Sequence, residues 1–352
     1  MSLRQRRSIP NAAPAKRSLV HSRSMFSAIL GTQSLFFLVA IDHRGILMAQ
    51  SPSKPNAMRL VLVPEGELQA APHGKGNIYA PEVHREAGRW RMWFGAQAKD
   101  GHDRIHLAES EDGVAWKSLG VVLEDPDANH VNDPSVVKVD GQYWMYYTRA
   151  TQDIRDEIAV VTSLDGVHWT NPQVVLRPSQ SPHWDSLLVG RPSVLYDEGR
   201  FRMWYDGRKD LPEGAPVKNV PTSPRSVRAV GYAESNDGVT WIKHQSNPVF
   251  GVDAGGIHVN RIGNGYLMVY ESREGTRWAN SHDGLAWTNR GLLVPRSGSP
   301  EDLHGHVTPF LFQAQKTGAS LFVGAAGGNH WNQNAIARID LPDLLSLMQE
   351  SP

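Results

Sequence analysis

Four carboxylates stand where apolar and aromatic runs begin or end. They are Glu82 in YAPEVHREAGRWRMWF, Asp133 in VNDPSVVKVDGQYWMYY, Asp206 in FRMWYDGR and Glu271 in YLMVYESRE. Near them lie Tyr79, Asn132, Arg191, His258, Arg273 and His306, with Trp184 in the HWDS segment ahead of Arg191. Carboxyl groups gathered in one pocket can divide the work of proton donor and acceptor when their environments push their pKa values apart. A neighbouring arginine lowers the pKa of a carboxylate and keeps it charged. Carboxylates, histidines, arginine and tryptophan around one pocket suit a carbohydrate, whose hydroxyls take charge-assisted hydrogen bonds and whose faces stack on aromatic rings. Cleaving a glycosidic bond needs two carboxyls, roughly 5 Å apart for retention or roughly 6.5–9.5 Å for inversion. Three of these carboxylates also have a plainer reading. Asp133 can cap a strand entry, Glu82 can pair with Arg191, and Glu271 can form a surface ion pair with Arg273.

The elements that must position these residues repeat along the chain. SEDGVAW (Ser110 to Trp116), SLDGVHW (Ser163 to Trp169), SNDGVTW (Ser235 to Trp241) and SHDGLAW (Ser281 to Trp287) share one signature. An Asp-Gly pair between apolar runs is a hairpin signal, because glycine supplies a positive φ without steric cost. Each signature follows a pair of strands, and GHVTPFLFQAQKTGASLFVG repeats the strand pair without the turn. Four short strands per unit, at a repeat of roughly fifty residues, predict a β-propeller. The fold class is therefore all-β: a five-bladed β-propeller of four-stranded antiparallel blades over residues 58–345, with blades starting near 77, 130, 188, 256 and 303. The strand at Met58 to Val63 completes the last blade and hides the open sheet edge. In such a ring the strand-one starts and strand-two ends surround an axial pocket, and the Asp-Gly turns face away from it. An insert, LPEGAPVKNVPTSPR, falls between strands two and three of the third blade and overhangs the pocket as a lid.

The bulk composition narrows the partners. The 352-residue chain has 36 basic and 36 acidic residues, which disfavours nucleic acid or an anionic membrane as partner. It has no cysteine, which excludes disulfides, thiolate metal sites and a cysteine nucleophile. Arg4, Arg6, Arg7, Lys16, Arg17 and Arg23 precede the apolar run Met25 to Ala40, the layout of a secretory signal with cleavage after Ala49. Residues 1–49 are thus expected to be a leader, 50–57 a linker and 346–352 a tail. The mature chain is expected in the periplasm or outside the cell, as a monomer with no integral membrane domain.

On these residues the chain resembles the five-bladed propeller superfamily of glycoside hydrolases, families 43, 32 and 68. Tyr79 to Phe94 is similar to the "WAP-acid" strand of family 43, and VNDPSVVKVDGQYWMYY is similar to that family's Asp-Pro strand. The resemblance implies a glycosidase in which Asp133 is a catalytic-site carboxylate, either pKa modulator or base. It implies no obligatory cofactor, and admits Ca²⁺ at the pocket centre beside His306. Family 43 places its acid glutamate before a proline, where this chain reads Val189-Gly190-Arg191-Pro192. Asp206 and Glu271 are the substitutes that topology offers, and His258 or His306 is a further candidate acid. Two other readings stay open: a carbohydrate-binding, lectin-like propeller without catalysis, and a sialidase-like enzyme using Arg191, Arg149 and Arg273.

Overall fold

The computed structural model describes residues 57–70, 76–151, 155–181, 183–209, 228–251, 253–314, 318–342 and 344. The expected leader, most of the linker, the lid insert and the tail lie outside them. Among the described residues the regular secondary structure is almost entirely strand. It opens with β1 (Arg59–Leu62). Unit one follows as β2 (Ile78–Glu86), β3 (Arg89–Gln97), β4 (Asp103–Ser110) and β5 (Lys117–Leu123). Unit two is β6 (His130–Val139), β7 (Gln142–Ala150), β8 (Asp156–Ser163) and β9 (Gln173–Leu176). Unit three is β10 (Leu188–Asp197), β11 (Arg200–Arg208), β12 (Arg228–Ser235) and β13 (Ile242–Lys243). Next come β14 (Ile257–Ile262), β15 (Gly265–Ser272), β16 (Gly275–Ser281) and β17 (Trp287–Pro295). The last are β18 (Gly305–Ala314), β19 (Gly318–Ala326) and β20 (Asn334–Leu341), with β1 antiparallel to β20 as the outer strand. The first three units are separate four-stranded antiparallel sheets. The last two sets of strands form one eight-stranded sheet, because Ser272 of β15 pairs with His306 of β18.

The hydrophobic cores lie between neighbouring units. Trp93 and Leu107 meet Tyr143 and Met145, and Tyr146 and Ile158 meet Phe201 and Met203. Trp204 and Tyr232 meet Tyr266 and Met268, and Leu267 and Trp278 meet Leu311 and Leu321. Phe310, Phe322 and Ile336 pack on Val83 and Trp90, so the last strands return to the first unit. The second strand of units one to three and β15 therefore carry large, buried aromatic residues that a single exposed sheet could not cover.

The Asp-Gly signatures have a different geometry from the one expected. Three two-residue hairpins, Ala87-Gly88, Asp140-Gly141 and Glu198-Gly199, have positive φ at both residues. In the signature turns only the glycine does, at 73° to 77°, and the aspartate acts through its side chain. Asp112 Oδ1 accepts from the Val114 and Ala115 amides, both at 2.8 Å, and Ser110 Oγ accepts from Gly113 N at 2.9 Å. Asp165, Asp237 and Asp283 repeat the pattern.

These turns also join the units. Trp93 Nε1 donates to Gly166 O (2.9 Å), Tyr146 OH to Gly238 O (2.8 Å) and Trp204 Nε1 to Gly284 O (2.8 Å). Arg338 of β20 does the same for Gly113 O in unit one (3.1 Å). The strands β18–β20 lack the signature, and there the direct Ser272–His306 pairing takes over. A β-carbon at Gly166 would lie 2.9 Å from Trp93 at a φ of 75°. Gly166→Ala is expected to cost about 2 kcal/mol in urea unfolding. Gly141→Ala, with φ 83° and open space around it, should cost less.

Candidate active site

The innermost strands each carry a left-handed residue near their start. Ala80, Asp133, Arg191 and Thr308 have φ of 51°, 51°, 47° and 41°, and each precedes a proline. Gly256, at φ 55°, takes the same place beside β14. Four of these positions coincide with breaks in register, between Tyr79 and Glu82, Asn132 and Ser135, Gly190 and Ser193, and Val307 and Phe310. Such a bulge re-aims a side chain, at a cost in backbone strain for any residue but glycine. All of these residues line one cavity of about 30 Å³, together with Glu82 and His258. That is room for about one water molecule.

Side chains two places further along latch four of the units to the next, and at the last junction Thr308 Oγ1 itself accepts from Ala80 N (2.8 Å). Ser135 Oγ accepts from Val194 N (2.9 Å), Ser193 Oγ from Val259 N (2.8 Å) and His258 Nδ1 from Leu311 N (3.1 Å). Glu82 occupies the same place in unit one and accepts from the Val136 amide. The plainer reading of Glu82 paired it with Arg191; its partner is instead His84, at 2.8 Å. Burial raises the Glu82 carboxyl, with His84 opposing. His258 is pushed down to about 3 by burial, with the nearby His84 adding to the shift. It is therefore neutral at ordinary pH. Because its Nδ1 accepts an amide proton, its own proton sits on Nε2.

A dense charge cluster surrounds Arg191. Its Nη1 lies 2.9 Å from Asp206 Oδ2, and its Nε lies 3.8 Å from Asp133 Oδ2. Asp206 is 1% exposed and also meets Arg208 (3.6 Å) and Arg228 (4.0 Å). Glu271 was expected to pair with Arg273 on the surface. It is buried, bonds the Arg228 guanidinium with one oxygen, and accepts the Thr308 amide with the other at 3.2 Å. Burial raises the Glu271 carboxyl, but Arg228 and Arg191 outweigh it and hold the group at about 2. Asp133 is driven the other way, to about 7. Burial is the main cause, opposed by Arg191 and a Thr148 hydrogen bond and reinforced by Glu271 and Asp156. Asp156, half-buried at the start of β8, is raised by burial to about 6, against Arg191, Arg208 and His130.

The remaining expected residues are dispersed. Asn132 Nδ2 donates to the hydroxyl of the half-buried Tyr79 (2.8 Å) and to Asp103 (3.3 Å) at the junction of units one and two. Trp184 packs on Tyr205, with ring centroids 5.8 Å apart. Arg273 is exposed and lies over the Trp331 ring at 5.4 Å, while Arg149 pairs with Asp125 and Glu157. Arg191, Arg149 and Arg273 thus have separate partners and do not form a triad. His306 is fully buried between Thr276 (2.9 Å) and Asp302 (3.2 Å). Both of its ring nitrogens are engaged. Asp156, Arg228 and Asp103 were missed. All three begin a third strand, and in an antiparallel hairpin the third strand starts on the face where the second ends. Their sequence signal is a charge seven residues ahead of each signature serine: Asp103 before Ser110, Asp156 before Ser163 and Arg228 before Ser235.

Comparison with known proteins gives partial matches in sequence and a wider match in fold. Residues 124–261 match the family model described as glycosyl hydrolases family 32 N-terminal domain. An uncharacterized protein of Mycobacterium tuberculosis is 28% identical over 200 residues, which span 54% of this chain and 60% of that one. Among solved structures, one described as a glycoside hydrolase superposes with TM-score 0.62 at 20% identity, covering 80% of this chain and 89% of that one. A family 117 glycoside hydrolase from the marine bacterium Zobellia galactanivorans gives 0.56 at 15% identity, covering 81% and 90%. The chain thus carries a family 32-type N-terminal domain match and shares the propeller-like fold of glycoside hydrolases. The matched segment runs from the end of unit one into β14. It contains Asp133, Asp156, Arg191, Asp206, Arg228 and His258, but neither Glu82 nor Glu271.

Proposed function

We propose that this chain is an exported, monomeric five-bladed propeller enzyme that hydrolyses a glycosidic bond over its axial cavity. The observation carrying this reading is the division of the carboxyls around Arg191. Asp133 lines the cavity and titrates near 7, whereas Glu271, with both oxygens engaged, is held at about 2. A carboxyl poised near neutrality can give or take a proton at working pH, whereas one held low stays ionised and holds its surroundings in place. Asp133 is the proton-transferring group in this proposal, and Asp156, titrating near 6 beside the same arginine, is its partner. Arg191 orients both. Asp206 and Glu271 hold the arginines in place, and His258 presents a neutral Nε2–H donor to the ligand. Glu82 belongs to the ring of inter-unit latches.

The test is a panel of aryl glycosides and neutral and acidic oligosaccharides, run with wild type, Asp133→Asn and Asp156→Asn. Loss of turnover of about 10²-fold or more in each variant, with binding retained, is the expected result. Unchanged turnover in Asp133→Asn would remove it from the chemistry. Saturable sugar binding with no turnover on any substrate would favour the lectin-like reading.

A further inference from the structure

His130 opens β6 three residues ahead of Asp133, and Asp156 opens β8. The two stand in one row of the sheet, because His130 pairs with Ala150 and Ala150 pairs with Asp156. Neighbouring strands lie about 4.8 Å apart, which puts the two α-carbons about 10 Å from each other. Ala150, buried between them, adds only a methyl group to the row.

The His130 ring is held so that it can change charge without moving. Asp103 N donates to Nδ1 at 3.0 Å, while Asp103 Oδ2 lies 3.1 Å from the same nitrogen. A neutral ring accepts the amide proton there, and a charged ring donates Nδ1–H to the carboxylate. Asp103 is itself buried and takes a hydrogen bond from Asn132 Nδ2 at 3.3 Å. The His130 side chain is 25% exposed, so its charge follows the pH of the solvent. Burial works against that charge, but the Asp103 hydrogen bond and the charges of Asp103, Asp156 and Asp100 outweigh it and lift the ring's pKa above its ordinary value. His102 also lies against the ring, with centroids 5.7 Å apart, and bonds Asn129 O.

Burial raises Asp156 to about 6, opposed by Arg191, Arg208 and His130 and reinforced by Asp206. The two arginines keep their charge at every working pH, whereas a histidine does not. We propose that His130 is a positioning residue whose imidazolium keeps Asp156 ionised beside the protonated Asp133, and so fixes which of the two takes the proton and which gives it. It needs no contact with substrate for this. A unit charge about 10 Å away, at an effective dielectric constant of about 20, moves a carboxyl's pKa by roughly one. That matches the interval between Asp156, at about 6, and Asp133, at about 7. Loss of the imidazolium therefore brings the two carboxyls level and removes their division of labour.

The catalytic meaning of this pair rests on the hydrolase reading, and measurements without substrate keep the two separable. The full chain, labelled with ¹³C at its aspartate carboxyls, is titrated by NMR through neutral pH, with Asp156 assigned by the loss of its signal in Asp156→Asn. His130→Gln, polar but uncharged, should raise the Asp156 midpoint by about one pH unit, and the permanent cation of His130→Arg should return it to the wild-type value or below. The coupling is reciprocal. In Asp156→Asn the His130 ring should titrate about one pH unit lower, which reads the same pair should His130→Gln fail to fold. On any substrate turned over, the acid limb of kcat/KM in His130→Gln should rise with the Asp156 midpoint. An Asp156 midpoint shared by wild type and both variants, a ring that titrates alike with and without Asp156, or an active His130→Gln whose acid limb stays in place would each overturn the inference. A coupled pair in a protein that hydrolyses nothing would uphold the pairing and sink the hydrolase reading alone.

Discussion

Asp133→Asn is expected to abolish turnover and, in the same protein, to stabilise the fold above neutral pH. The Asp133 carboxyl is 7% exposed, and burial raises it from 3.8 to about 7. A carboxyl whose folded pKa is raised costs nothing below about pH 4, where it is protonated in both states. The cost grows as the unfolded group ionises, and it is complete above about pH 7. Each unit of displacement is worth about 1.4 kcal/mol, so the penalty is about 4 kcal/mol at most. Asparagine removes it. Wild type should therefore lose stability between about pH 4 and pH 7 relative to the variant, and the variant should melt higher at pH 8 and not at pH 4. Thermal unfolding at the two pH values, beside kcat/KM on the best substrate of the panel, reads both effects. A variant that is inactive and equally destabilised at both pH values would show a packing defect and no titration.

Arg228→Ala is expected to be the most damaging single change to stability. Arg228 faces the buried carboxylates of Glu271 and Asp206, and it closes the bond to Glu271 Oε1. Removing one partner of a buried pair strands the other charge, which typically costs about 3–5 kcal/mol. The pH profile carries a second signature. Glu271 is depressed from 4.5 to about 2, so its contribution is fully present above about pH 4.5 and is lost as pH falls towards 2. Without Arg228 that acid-side loss should shrink, because much of the depression is gone. Urea midpoints at pH 7 and pH 3 measure it: a large gap from wild type at pH 7 and a smaller one at pH 3. Equal gaps would show that Arg191 alone sets the charge of Glu271.

The repeat carried most of the fold in plain view. Four copies of a serine-aspartate-glycine-tryptophan turn behind paired apolar strands left no other architecture for the four-stranded antiparallel sheets. The site was only partly legible. Asp133 could be placed on the pocket because a strand start has one direction to point. Glu271 could not be paired correctly, because Arg228 belongs to a different unit and chain distance says nothing about which arginine crosses the gap. Asp156 was overlooked because only the first two strands of each unit were considered as contributors. The bulges were written as Ala80-Pro81, Asp133-Pro134, Arg191-Pro192 and Thr308-Pro309, yet a proline marks restricted backbone without giving its hand.

Those bulges also separate what can vary from what cannot. Ala80, Asp133, Arg191, Gly256 and Thr308 hold equivalent backbone postures, yet they present a methyl group, a carboxyl, a guanidinium, a hydrogen and a hydroxyl. Four latches lie two residues further on, and only the fifth, the Ala80 amide donating to Thr308 Oγ1 at 2.8 Å, uses one of these side chains. At the other four positions the scaffold behaves as a socket with interchangeable pins, with the backbone strain already carried at all but Gly256. Duplicated units could diverge at one codon apiece and pass from a symmetric ring to an asymmetric reaction centre without refolding the sheets. The same positions form a small alphabet for redesign, in which chemistry is rewritten by exchanging pins.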